Sequence, residues 1–383
     1  MSGRVGVRPL VSILLSPLTL RGTTFRNRVW LAPMCQYSAA ADGVPTDWHL
    51  AHLGARAVGG FGLVLTEATA IVPEGRITPQ DVGIWDDAQV AAWRRITDLV
   101  RSRGAVVGVQ LAHAGRKAST YRPFDQGRGT VAEQDGGWAT VGPAALPFPG
   151  YAAPQAMTAE QVAAVPGQFA AATRRALDAG FDLVEVHAAH GYLLHQFLSP
   201  LSNHRTDAWG GSPENRARLL LDTVDAVRAV LPDDRPLLVR VSATDWTEGG
   251  LTVEDTAELA GWLREHGVDL VDVSTGGNVP ATIPVGPGYQ VPAARAVRAA
   301  GVATVAVGLI TTPEQAEQVL AEGDADAVLI GRPALFDPHW PLRAAHALDD
   351  KTPVLEHAGD PGASVVAGQP TGWAAQYGRG SWA

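Results

Sequence analysis

The sequence predicts an α/β chain folded as a single (β/α)8 TIM barrel, and three observations predict it. Eight short runs rich in Val, Leu and Ile recur at 29–32, 62–66, 106–111, 183–187, 237–241, 270–273, 304–307 and 327–330. Near-continuous apolar runs of this length suit parallel strands buried on both faces. The segments between them have helical period and open on helix-start chemistry. Ser212-Pro213 and Thr312-Pro313 each set a capping hydroxyl before a proline, and Thr158 with Gln161 and Thr312 with Gln315 have capping-box spacing. Finally, no Gly-x-Gly-x-x-Gly turn follows the first run, which counts against a doubly wound open sheet.

The elements follow in order. Residues 1–16 read as a flexible tail interrupted by Gly, Arg and Pro. Residues 17–27 suggest a small hairpin turning at Arg21-Gly22. The barrel is expected to fill 17–350. Its rhythm fails once, after the third strand, from 111 to about 157. That stretch holds Tyr121-Arg122-Pro123-Phe124, Gly136-Gly137-Trp138 and Pro147-Phe148-Pro149-Gly150. A loop so long and aromatic is expected to be an ordered cover over a site. A last helix is expected at 341–348. Residues 351–383 then form a Gly-rich tail whose Trp373, Tyr377 and Trp382 predict docking, on this barrel or on a neighbour's.

Composition removes several classes of function. The net charge is −9 and no Lys/Arg cluster stands out, so neither nucleic acid nor an anionic membrane is an expected partner. The single cysteine, Cys35, excludes an internal disulfide, a four-cysteine iron–sulfur cluster and a Cys-rich zinc site. The apolar run near the N-terminus is broken by Ser12 and stops at Pro17, too short for a membrane span and without the layout of a secretory signal. A reducing cytoplasm is the expected location.

Functional groups of such a barrel sit at the C-terminal ends of its strands. Those ends carry Pro33, Met34, Cys35, Gln36 and Tyr37, then Glu67 and Ala68, then Gln110 with His113, Arg116 and Lys117. Beyond them come His187, His190 and Tyr192, Arg240 with Ser242, Ser274, and the glycine steps at Gly308 and Gly331-Arg332. The fourth strand end is the focus. Two imidazoles and a phenol are three donors able to share one ligand oxygen, and Tyr192 is also a candidate proton source. Glycines at the last two strands are where this fold most often holds phosphate through backbone N–H groups. Gln110 offers a donor and an acceptor to a uracil-like ring edge. Arg240 offers a fixed positive charge where a reduced ring carries negative charge. Flavin mononucleotide satisfies both ends.

Each residue also has a plainer reading. His187 and His190 could hold a metal, although the nearby acids lack a ligand pattern, or could form a structural pair. Cys35 could be a small buried hydrophobe and Tyr37 could simply pack. Arg240 could pair with Asp272 or Glu185. Gly308 and Gly331 could be ordinary turns, and Arg116 and Lys117 could be solvated.

Five stretches carry a family resemblance: Ala-Pro-Met-Cys-Gln-Tyr at 32–37, Gln-Leu-Ala-His-Ala-Gly-Arg-Lys at 110–117, His-Ala-Ala-His-Gly-Tyr-Leu-Leu-His at 187–195, Ser-Pro-Leu-Ser-Asn-His-Arg-Thr-Asp at 199–207 and Gly-Gly-Ser-Pro-Glu-Asn-Arg at 210–216. From about Leu18 onward the chain resembles the Old Yellow Enzyme family of FMN-dependent ene-reductases, in its thermophilic-like or xenobiotic-reductase subclass. The resemblance implies non-covalent FMN, with NAD(P)H as reductant. It lays Pro33, Met34 and Cys35 along the flavin and Ala68 near its N5/O4 edge. It gives Gln110 the pyrimidine ring, Arg240 the N1/O2 side, and Gly308, Gly331 and Arg332 the phosphate. It gives His187 and His190 the carbonyl or nitro oxygen of an activated alkene and Tyr192 the proton. Cys35 would tune the flavin and touch the ligand, beside Tyr37. It further implies a homodimer or homotetramer in which Tyr377 and Arg379 enter a neighbour's site in trans.

The chain departs from the pattern in three places. Ala32 replaces a hydroxyl residue, the tail ends Arg-Gly-Ser-Trp-Ala where relatives end nearer Arg-Gly-Trp, and the 118–150 loop follows the xenobiotic-reductase branch. Rival readings are a dienoyl-CoA reductase, which would need a cysteine cluster and a further nucleotide domain, a flavin-binding protein acting mainly on nitro compounds or without enone turnover, and a metal-dependent barrel hydrolase.

Overall fold

The structure is a computed structural model and describes residues 12–348. The predicted tail at 351–383, with Tyr377 and Arg379, lies outside the described residues, as do residues 1–11.

The chain opens with an antiparallel hairpin, β1 (Leu18–Leu20) and β2 (Thr23–Phe25), with Arg21 in the left-handed region at φ 49. Next come β3 (Val29–Leu31), β4 (Leu63–Ala70) and β5 (Val106–Ala112). The long loop adds only the two-residue strands β6 (Val141–Gly142) and β7 (Gln155–Ala156). The remainder are β8 (Leu183–Ala188), β9 (Leu237–Ser242), β10 (Leu270–Ser274), β11 (Ala303–Ala306) and β12 (Ala327–Ile330). Eight of these, all parallel, close into one barrel in the order β3-β4-β5-β8-β9-β10-β11-β12, with Leu329 of β12 opposite Trp30 of β3. The eight apolar runs of the sequence are these eight strands.

Side-chain alternation sorts each strand between two cores. Val184, Val186 and Ala188 of β8 face the helices, with Val239 and Val241 of β9 and Val271 and Val273 of β10. Leu183, Leu238 and Leu270 instead join Trp30, Leu63, Leu65, Val305, Ala327 and Leu329 inside the barrel. The inward series then changes character along the strand: Leu183, Glu185, His187 on β8; Leu238, Arg240, Ser242 on β9; Leu270, Asp272, Ser274 on β10. Because period-2 alternation repeats in register across neighbours, the barrel is apolar at its floor and polar at its mouth. The hairpin closes the floor. Phe25 is fully buried there, its ring 4.6 Å from that of Trp30.

The helix starts form as expected. The Thr158 hydroxyl accepts from the Gln161 N–H at the start of helix Ala159–Asp178, while Gln161 returns a bond to the Thr158 N–H. Ser212 caps Pro213–Arg228 and Thr312 caps Pro313–Ala321. The Gln315 side chain departs slightly from a capping box. It accepts from the Thr311 N–H, one residue before the cap. No helix of the described residues is long and apolar enough to cross a membrane.

Phe25→Ala should cost about 3–5 kcal/mol, because it empties a fully buried aromatic site whose neighbours are fixed by the barrel. Urea unfolding followed by circular dichroism measures this, and a loss below about 1 kcal/mol would contradict the floor-plug assignment.

Candidate active site

The mouth of the barrel is built around one pair of turns. After β8 the chain bends through His190 (φ 58) and Gly191 (φ 73), and after β10 through Gly276 (φ 69) and Gly277 (φ 92). The two turns touch. A Cβ on Gly191 would lie 2.3 Å from the Gly277 carbonyl oxygen, and one on Gly277 would lie 2.7 Å from the His190 Cα. Only glycine permits that approach. Left-handed backbone at a non-glycine costs roughly 1–2 kcal/mol, and several bonds hold His190 there. Its N–H donates to Ser242 Oγ (2.9 Å), whose hydroxyl donates to the Gly276 carbonyl (2.8 Å). Lys117 Nζ donates to the carbonyls of His190 (2.7 Å) and Gly277 (2.9 Å). Beneath them His195 Nδ1 accepts from the Gly191 N–H (2.9 Å), and its Nε2 lies 3.2 Å from Asp245 Oδ1, both side chains fully buried.

This frame brings the three predicted groups together. The His187 ring centroid is 5.1 Å from that of His190 and 5.0 Å from that of Tyr192. His187 Nδ1 accepts from the Ala189 N–H (3.3 Å), which leaves the ring proton on Nε2. That nitrogen is 3.4 Å from His190 Nδ1, and His190 Nε2 is 2.7 Å from Ser274 Oγ. Burial, then the charge of Arg240, holds both imidazoles well below the usual histidine range, so both are neutral at pH 7. Burial pushes the Tyr192 phenol well above its ordinary value, which keeps its proton in place until a strong base forms beside it.

Register sets a charged layer under the histidines. His187 pairs with Arg240 across β8–β9, and Arg240 with Asp272 across β9–β10. Arg240 Nε is 2.9 Å from Asp272 Oδ2, so the plainer expectation of an acid partner is met. Gln110 lies opposite Glu185 and donates its amide to Glu185 Oε1 (2.7 Å). Burial raises both carboxyls, Glu185 further because Asp272 repels its charge, while Arg240 pulls both back. The alignment is incomplete. Arg240 Nε, Glu185 Oε2 and both Asp272 oxygens are buried without a well-aligned hydrogen bond.

Beside the trio, Cys35 and Tyr192 pack against Ala68, Ala112 and Ala114 in one small cluster. Burial raises the Cys35 thiol, which is bonded to Tyr37 and the Ala68 backbone, so it is a neutral thiol at pH 7. Tyr37, Lys117, Tyr121, Tyr151 and Tyr192 line a cleft of about 330 Å³. At the last two strands, Gly308 has φ 117, a conformation reserved for glycine. A Cβ on Gly331 would meet only Ala32 and Met34, each at 3.9 Å, which leaves an open shelf beside Met34. Arg332 is exposed.

One of the plainer readings is corrected: Arg116 is buried and Lys117 half-buried, so neither is an ordinary solvated surface cation. Arg116 donates to the Asn278 carbonyl (2.7 Å) and the Leu146 carbonyl (3.2 Å), while Lys117 ties the two turns together. The physical reason is the covering loop, which brings Leu146 to Arg116 and the Phe148 ring to within 4.8 Å of Lys117 Nζ. Burial, then the neighbouring charge of Arg116, pulls the Lys117 ammonium down to about 8. Sequence reasoning missed His195 and Asp245. The only signal was the third histidine of the 187–195 motif.

Fold and site together define a class: a parallel eight-stranded barrel whose mouth gathers two neutral imidazoles, a phenol, a buried arginine and an open glycine shelf. The chain belongs to the NADH:flavin oxidoreductase / NADH oxidase family, whose pattern it matches over residues 13–351, and so to the Old Yellow Enzyme group. It is 47% identical over 343 residues to an NADPH dehydrogenase of Geobacillus thermodenitrificans (strain NG80-2), covering 89% of this chain and 96% of the relative. An old yellow enzyme homologue from Zymomonas mobilis superposes with a TM-score of 0.72 at 28% identity, covering 91% of this chain and 95% of the homologue. A 2-naphthoyl-CoA reductase superposes with a TM-score of 0.81 at 28% identity over 88% of this chain. The chain spans about half, 52%, of that reductase. The protein is therefore an NAD(P)H-dependent flavin oxidoreductase using FMN. The residues present fit that cofactor. Gln110, whose amide N–H is taken by Glu185, would offer its carbonyl to a ring N–H, Arg240, paired through Nε, would offer its terminal nitrogens to an anionic edge, and the Gly331 shelf stands open beside Met34.

Gly191→Ala should remove the turn contact and destabilise the protein by about 2–4 kcal/mol, read by urea unfolding. The imidazoles predict a pH effect of definite sign. Their folded pKa values lie below the unfolded value of about 6.5, so the unfolded chain binds more protons below that pH and stability falls as pH falls. Each contributes about 1.4 kcal/mol of loss per pH unit below about 6.5. His187→Asn/His190→Asn should gain on the wild type in urea midpoint between pH 7 and pH 5, and a constant difference would contradict the neutral assignment.

Proposed function

We propose that this oxidoreductase reduces the activated C=C bond of α,β-unsaturated carbonyl or nitro compounds, in two half-reactions that alternate at one site. The observation that carries the reading is the neutral His187–His190 pair with Tyr192 beside it. FMN, when bound, supplies the hydride chemistry, first from NAD(P)H and then toward the alkene. The protein's residues do the rest. The two imidazoles, donating from neighbouring ring nitrogens, hold the substrate's carbonyl or nitro oxygen and stabilise the negative charge that builds on it, as an oxyanion hole does. Tyr192 keeps its proton at pH 7 and gives it to the α carbon as general acid. Lys117, 5.2 Å from the Tyr192 ring centroid, offsets the negative charge left on the phenol.

A metal-hydrolase reading gains nothing from the geometry, since among the described residues no group of three or more His, Cys, Asp or Glu side chains is placed to hold a metal ion. By family resemblance, Tyr377 and Arg379, which lie outside the described residues, would contribute to a neighbour's site in a dimer or tetramer. Truncation after Trp373 should then change the KM for the alkene or the oligomer size, and no change in either refutes it.

The primary experiment is anaerobic. NADPH should bleach the visible flavin band of the purified protein, and cyclohexenone should restore it. Bleaching without restoration would leave the FMN site standing and refute the alkene. His187→Ala/His190→Ala should lower enone reduction by about 10²–10³-fold while flavin remains bound. Tyr192→Phe should slow the alkene half-reaction and spare the NADPH one.

A further inference from the structure

One side chain at the mouth of the barrel governs a choice that the histidine pair cannot make alone. A substrate oxygen can receive two hydrogen bonds only if His187 carries its proton on Nε2 and His190 carries its own on Nδ1. The Ala189 N–H settles His187 by occupying Nδ1 (3.3 Å). No backbone group settles His190. Its Nε2 faces the Ser274 hydroxyl at 2.7 Å, and that hydroxyl also lies 3.4 Å from Gln290 Oε1.

Gln290 is itself oriented. Its buried side chain donates from Nε2 to the Val307 carbonyl (3.1 Å) and accepts at Oε1 from the Thr275 hydroxyl (2.7 Å). Its oxygen is therefore an acceptor toward Ser274. A single O–H can satisfy either Gln290 Oε1 or His190 Nε2, not both. Two proton arrangements follow. In one, His187 Nε2–H points at His190 Nδ1, His190 Nε2–H at Ser274, and Ser274 O–H at Gln290. Every bond in that chain is internal, and the pair offers no second donor to a ligand. In the other, Ser274 O–H turns to His190 Nε2, the histidine proton sits on Nδ1, and both imidazoles donate outward.

We propose that Ser274 is a positioning residue that sets the tautomer of His190, and that its hydroxyl turns from Gln290 to His190 when an oxygen ligand enters. The change is a proton relocation within one neutral imidazole, from Nε2 to Nδ1, with no net gain or loss of charge. It requires a hydroxyl at position 274, because a methyl group can neither accept from Nε2–H nor donate to a bare Nε2. The proposal rests on the reading of His187 and His190 as the oxygen site, and the test separates the two.

The test is long-range ¹H–¹⁵N NMR on FMN-loaded protein labelled at histidine nitrogen, with His190 assigned by comparison with His190→Asn. The probe is 4-nitrophenolate, an oxyanion that needs no turnover. Without probe, wild-type His190 should be the Nε2–H tautomer, and with probe the Nδ1–H tautomer. Ser274→Ala should lose that switch and bind the probe at least about 10-fold more weakly, while Ser274→Thr, which restores the hydroxyl, should keep both. The proposal is overturned if probe-free His190 is already the Nδ1–H form, or if Ser274→Ala switches and binds as the wild type does. It is equally overturned if saturating probe leaves wild-type His190 as Nε2–H. Failure of enone reduction with the tautomer switch intact would refute the alkene reading and leave Ser274 in its role.

Discussion

The contact between the turns at Gly191 and Gly277 is the constraint on which the rest of the site depends. Two strands that are not neighbours, β8 and β10, meet over β9 because neither turn carries a Cβ at the point of approach. The approach forces His190 into left-handed backbone, and Ser242, Lys117 and His195 hold it by hydrogen bonds to His190 and Gly191. An imidazole fixed at its backbone has few directions to point. Here it lies against His187 on one side and Ser274 on the other. The positions of both rings are thus set by the fold, and what is left to vary is the proton arrangement along His187, His190 and Ser274.

Below that contact the barrel supplies a graded interior. Inward positions pass from leucine at the floor, through Glu185, Arg240 and Asp272, to histidine and serine at the mouth. The layer of charge is close-packed but incompletely paired, with several buried polar atoms short of partners. Such a layer is unfavourable for stability taken alone. A cofactor edge that brought polar groups to the same place would offset that cost.

Above the contact, the loop after β5 is part of the active site's wall. Arg116 reaches from the strand end to the Leu146 carbonyl, and Phe148 stands over the Lys117 ammonium. Under that cover one lysine serves two backbone carbonyls and the face of Tyr192. The loop is therefore coupled to the turn contact through Lys117.

Much of this was legible in the amino-acid order. Strand number, helix starts and the hairpin at Arg21-Gly22 follow from apolar runs, caps and turn residues, which are local properties. That His187, His190, Tyr192, Gln110 and Arg240 gather at the barrel mouth was legible because they follow or end the apolar runs that form its strands. Less was visible where a role depends on a distant partner. Lys117 reads as a surface cation until Gly277, 160 positions away, is placed against His190. Asp245 reads as an ordinary loop acid until His195 is buried on it. The sequence by itself determined a parallel (β/α)8 barrel and the chemical groups at its mouth, because periodicity and strand ends are written in the order of residues. Only the tertiary structure decided which turns touch, which cations are buried and what His190 Nε2 faces, because those follow from barrel closure, which sets non-adjacent strand ends within bonding distance.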